Sequence, residues 1–137
     1  MTGFDPAAEE RAEQRARALL RSCVAPDDWA VYERFGFLRV RPGELRYAYL
    51  IYPYKPLVAY RTDTHEALGE YCVTFAHPQA RLPPSDDVLA KWLALTADER
   101  GLIESANVAA LGHQLDPGRV RADLAGLAAW EPRSVAS

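Results

Sequence analysis

Cys72 and His77 are the nearest thing in this sequence to a nucleophile with its base, since a thiol becomes reactive when an imidazole takes its proton. On an extended strand, residues an odd number apart point to opposite faces, so the spacing sets these two side chains apart unless the strand bends between them. A cysteine between Tyr71 and Val73 reads more simply as core. Asp63, His65 and Glu66, in the stretch TDTHE, offer oxygen and nitrogen ligands, but three polar residues crowded into one turn read as solvated, and no metal is expected there. Asp86 and Asp87 are adjacent on a helix and diverge by about 100°, so they suit a helix N-terminus better than a shared acid–base reaction. Glycine-rich phosphate loops are absent, and no cofactor is expected.

Binding chemistry is concentrated in residues 46–60, RYAYLIYPYKPLVAY, which hold five of the seven tyrosines. Strand alternation puts Tyr47 and Tyr49 on one side with Leu45 and Ile51, and Tyr52 and Tyr54 on the other with Ala48 and Leu50. The expectation is one face packed on helices and a second, half-exposed tyrosine face. Between Glu33 and Arg61, six basic residues stand against Glu33 and Glu44, a net of +4, whereas residues 62–104 carry a net of −5. The candidate binding set is therefore Arg39, Arg41, Arg46, Tyr47, Tyr49, Tyr52, Tyr54, Lys55 and Arg61. Tyrosine and arginine are enriched in protein interfaces, which favours a protein partner or self-association, basic sheet to acidic helix. Nucleic acid or another anion on the same surface is the alternative. It is disfavoured by a chain net charge of −3 and by aromatics divided between two faces, where base stacking wants them on one.

The elements that must position these residues fall in the order helices, sheet, helices. Asp5-Pro6 reads as a cap and first helical position, and Ala12, Ala16, Leu19, Leu20 and Cys23 recur at helical spacing, giving a helix over 6–23. Pro26 opens a second helix that Gly36 ends. From Phe37 to about His77 the composition turns β-branched and aromatic: FLRVR, LRYAYLIY, LVAY and ALGEYCVTF, separated by Pro42-Gly43, Pro53 to Pro56 and TDTHE, predict a four-stranded antiparallel meander. After the connector HPQARLPPSDD, three helices are expected over about 85–130. Ser85 caps the first, with Val88, Leu89, Trp92 and Leu93 as its buried stripe. Thr96 opens the second by the capping-box pattern, running past Ala106 toward Gly112, and Asp116-Pro117 starts the third. Segregation of strands from helices makes the class α+β.

At 137 residues, 49% of them hydrophobic and 26% charged, the chain is long enough for one domain with a sizeable core. No apolar run approaches the ~18 residues of a membrane span, and the acidic opening MTGFDPAAEE lacks the regions of a signal peptide, so a cytoplasmic location is expected. Cys23 and Cys72 are too few for a disulfide framework or a zinc site and read as buried small hydrophobes. Fourteen arginines against two lysines, with abundant alanine, suggest a bacterial, high-GC source.

The segment from Glu70 to Asn107 resembles a pattern in a family of small bacterial and phage proteins of uncharacterised function. There a Cys-Val strand is followed by Leu-Pro, an Asp, Leu-Ala-Lys and a helix ending in Ala-Asn. The positions that carry it are Cys72, Val73, Leu82, Pro83, Asp86 or Asp87, Leu89, Ala90, Lys91, Ala106 and Asn107. The resemblance implies no activity. The residues themselves point to a non-enzymatic interaction or adaptor domain, with the anion-binding module as alternative and an enzyme using Cys72 as a third reading.

Overall fold

A computed structural model of the chain describes residues 5–43, 46–73 and 82–136. Among these the fold is α+β, with five helices and one five-stranded antiparallel sheet. Helix α1 (Pro6–Cys23) is capped by Asp5, whose carboxylate takes the Ala7 N–H at 3.1 Å, and Pro6 fills a first-turn position that needs no N–H. Helix α2 (Pro26–Phe35) stops at Gly36, where φ is 84° and the N–H returns to the Tyr32 carbonyl. Strands β1 (Leu38–Val40), β2 (Tyr47–Ile51), β3 (Leu57–Arg61) and β4 (Ala67–Cys72) pair in chain order, as the turn signals predict. Leu45, at the head of the expected second strand, and residues 74 and 75, at the end of the fourth, lie outside the described residues, as does the first part of the connector, to residue 81.

The sequence expectation of four strands is corrected by a fifth. Helix α3 (Pro84–Ala97) and the short α4 (Glu99–Ser105) are followed by β5 (Asn107–Ala109), which pairs with β4 through Glu70↔Ala109, Tyr71↔Val108 and Cys72↔Asn107. The helix expected to continue to Gly112 ends at Ser105 instead. Its cap is Asp98, which takes the Gly101 N–H at 3.1 Å, while Thr96 sits inside α3 with its hydroxyl turned back to the Trp92 carbonyl. Ser85 is not a cap either. Its side chain is buried, and its hydroxyl donates to Glu13 at 2.6 Å and meets the Tyr32 hydroxyl at 2.8 Å, joining the first three helices. Helix α5 (Pro117–Ala136) begins where Asp116-Pro117 predicts, with Val120, Leu124 and Leu127 buried.

Both faces of the sheet are covered, which corrects the half-exposed tyrosine face. On one side Tyr49, Ile51, Leu57 and Ala59 pack with α1 and α3 through Leu20, Val88, Leu89 and Leu95. On the other, Ala48, Leu50, Tyr52, Val58 and Tyr60 pack with α5. Helix α2 packs on β1 and feeds both clusters, Trp29 and Tyr32 to one and Val31 to the other, so it closes the β1 edge. Each fully buried leucine in these layers removes enough apolar surface to contribute about 2–3 kcal/mol. Within the stripes two details differ from the sequence expectation. Leu19 and Leu93 are each 51% exposed, whereas Lys91 is 5% exposed and points inward. Among the described residues every buried side-chain nitrogen and oxygen has a hydrogen-bond partner. No helix among them is long and apolar enough to cross a membrane.

Candidate functional site

The candidate arginines separate into three environments. Arg39 lies opposite Leu50 in the ladder and is 2% exposed. Its guanidinium donates to Asp28 at 3.0 and 3.2 Å and to Glu131, whose other oxygen meets His65 Nε2 at 3.0 Å. Burial works against the charge on Arg39, and the two carboxylates more than offset it, so its pKa rises. Arg61 is half-exposed and donates to both oxygens of Asp63, at 3.1 and 2.9 Å, which holds that carboxyl down to about 2. Arg41 and Arg46 are exposed and have no ion pair among the described residues.

Register brings part of the candidate set together. Val40↔Tyr49 sets Arg41 beside Ala48, Tyr47 pairs with Arg61, and the Thr62 N–H donates to the Arg46 carbonyl at 3.0 Å. Arg41, Arg46, Tyr47 and Arg61 therefore share one end of the sheet. Lys55 and Tyr54 are at the other end, in the β2–β3 turn, about 17 Å away for a five-residue strand. Tyr54 adopts a φ of 62°, with its N–H on Asp87 at 2.7 Å and its hydroxyl on the Leu82 carbonyl.

The strand tyrosines are anchored inside the molecule. Tyr49 is buried on the α1–α3 side and donates to Glu99 at 2.7 Å, while Tyr52 is buried on the α5 side and donates to Asp123 at 2.7 Å. Burial, then the carboxylate each faces, pushes both hydroxyl pKa values well above the ordinary range. Tyr60 is 1% exposed and is pushed up chiefly by burial. Tyr47 remains half-buried, edge-on to Tyr49 with ring centres 5.8 Å apart.

Cys72 is half-buried at the end of β4, between two adjoining cavities of about 260 and 280 Å³ that share Pro56, Cys72 and Gln114. His77 lies outside the described residues, and the imidazole that lines the second cavity is His113. Cys23 is exposed, contrary to the expectation for it, because α1 ends there and Val24 takes the next buried position. In the TDTHE turn, Asp63 and His65 are engaged with Arg61 and Glu131, and among the described residues no group of three or more acidic, histidine or cysteine side chains is placed to hold a metal.

Two buried charges went unread in the sequence. Lys91 donates to Asp87 at 2.7 Å and to the Lys55 carbonyl at 2.9 Å, clamping the β2–β3 turn. The signal was an Asp-to-Lys pair four apart within an apolar helical stripe. Glu70, 1% exposed, accepts the N–H groups of Gly112, Gln114 and Leu115 at 2.8–3.1 Å and so shapes the loop before α5. Burial is the largest single influence on Glu70 and acts upward, but the three N–H groups together outweigh it and its pKa is lowered. Comparison with protein-family models, with curated proteins and with solved structures gives no match for this chain.

Proposed function

We propose that this chain is a non-enzymatic protein-interaction domain, and that it offers the arginine-bearing end of its sheet to an acidic surface on a partner. The observation that carries this reading is the contrast among the strand arginines: Arg39 is buried between two carboxylates, while Arg41 and Arg46 are exposed with no ion pair among the described residues. Exposed arginines beside a half-buried tyrosine supply the bidentate donors and flat apolar area that interface hot spots use. The alternative ligand, a nucleic acid, would find the same cations but little to stack on, because Tyr49, Tyr52 and Tyr60 are inside.

A photo-crosslinking residue placed at Arg46, in cells that make the protein, tests the reading, with a second placed at Glu10 on α1 as control. The expected result is a discrete protein adduct at the first position only, resistant to nuclease and lost with Arg41→Glu. A nuclease-sensitive adduct would favour the nucleic-acid reading, and the same adducts from both positions would remove the arginine end as the contact.

A further inference from the structure

The two edges of the sheet are treated differently. The β1 edge is closed by α2, and Leu38, Arg39 and Val40 are all buried. Among the described residues strand β5 has no neighbour on its outer side: Asn107 is exposed, Val108 is 62% exposed, and Ala110 just beyond it is exposed. Which backbone groups point outward follows from Gly69. A Cβ at that position would meet the Ala109 carbonyl oxygen at 3.1 Å, so that carbonyl is aimed at β4. The N–H and C=O of one strand residue lie on the same side and alternate along the strand. Asn107 and Ala109 therefore bond to β4, and Val108 turns both of its groups to the open side.

The alternation extends one step either way. Ala106 is extended, at φ −75° and ψ 151°, and its N–H is taken by the Ile103 carbonyl. The Ala110 carbonyl is taken by the His113 N–H. What remains on the open side is an acceptor on Ala106, a donor and an acceptor on Val108, and a donor on Ala110. Turned by a two-fold axis through Val108, this set matches itself: Val108 exchanges both bonds with Val108 of a second copy, and each Ala106 carbonyl meets the Ala110 N–H of the other. No charged residue occurs from Ser105 to Gly112.

We propose that β5 of one chain pairs antiparallel with β5 of a second copy, joining two five-stranded sheets into one. The occupant is another copy because the exposed donors and acceptors are self-complementary and uncharged, and the contact is independent of the arginine end. Three residues make a short edge, so the dimer is weak and concentration-dependent.

The test is sedimentation of the full chain from micromolar concentration to about 1 mM, the upper end of measurable weak association. The expected result is a monomer that becomes a dimer as concentration rises, and that stays monomeric with Val108→Pro or Val108→Lys. Proline is tolerated on an edge strand where the N–H faces solvent, and the lysine variant keeps the test decisive should proline disturb the fold. Register is read separately. In a Cys23→Ser, Cys72→Ser background, Val108→Cys should form an intermolecular disulfide on mild oxidation, since directly hydrogen-bonded strand partners sit about 5.5 Å apart at Cα. A chain monomeric throughout, or a dimer that both Val108 variants leave intact, overturns the proposal. Absence of any protein adduct at Arg46 in the unsubstituted chain while dimerisation persists would remove the arginine reading alone.

Discussion

Tyr52 reaches across 71 positions of sequence to donate its hydroxyl to Asp123 at 2.7 Å, tying the end of β2 to α5. Tyr49 does the same on the opposite face, to Glu99 of α4. Because the two bonds share no partner and lie on opposite sides of the sheet, Tyr52→Phe and Tyr49→Phe should each lower stability by about 1–2 kcal/mol. The double variant should lose their sum within about 0.5 kcal/mol. Urea unfolding of the three variants measures this, and a coupling above about 1 kcal/mol would show that the two layers communicate.

Glu70 predicts an acid limb in the stability profile. Its folded pKa lies below the ordinary value of 4.5, so it contributes stability that is fully present above pH 4.5 and is lost as pH falls through the lower folded value. Glu70→Gln, which keeps the shape but cannot accept all three N–H groups as a carboxylate does, should cost about 2–3 kcal/mol at neutral pH. The same variant should flatten the slope of stability against pH below 4.5. An unchanged slope would place the acid sensitivity elsewhere.

Arg39→Met removes the cation that Asp28 and Glu131 share and leaves both part-buried carboxylates without it. The expected cost is about 3–4 kcal/mol, much of it regained when Asp28→Asn and Glu131→Gln are added. Chemical denaturation of the single and triple variants checks this. A single variant within about 0.5 kcal/mol of wild type would mean the network adds nothing to stability.

The two thiols should differ in the native state. Exposed Cys23 should react with a disulfide reagent first, and half-buried Cys72 several-fold more slowly, reaching the fast rate only on denaturation. Cys23→Ser abolishing the slow phase would reverse the assignment.

Much of the fold was legible because its signals are local. Asp5-Pro6, Gly36 and Asp116-Pro117 mark helix ends by short-range chemistry, and the alternation through Tyr47, Tyr49 and Tyr52 assigns each residue to the face on which it is found. Strand β5 was not legible, since Asn107–Ala109 is too short for any periodicity and owes its extended form to pairing with β4. The covering of the second face was also hidden. Nothing near Tyr52 announces that α5, beginning 65 positions later at Pro117, will pack on it. Of the candidate site, the exposed arginines were visible as charge, but Arg39 looked identical to Arg41 until the structure supplied Asp28 and Glu131.

The distance from Arg39 to Glu131, 92 positions, bears on how the chain matures at the ribosome. When α1, α2 and the first strands have emerged, Arg39 has only Asp28, Glu13 has no Ser85 to receive, and the face that α5 will cover is bare. Such a nascent chain exposes Leu50, Tyr52, Val58 and Tyr60 together, an aliphatic and aromatic surface of the kind holding chaperones recognise. Synthesis has to reach Glu131 before the guanidinium and the sheet are both satisfied, so the protein's vulnerable interval is set by translation speed over its second half.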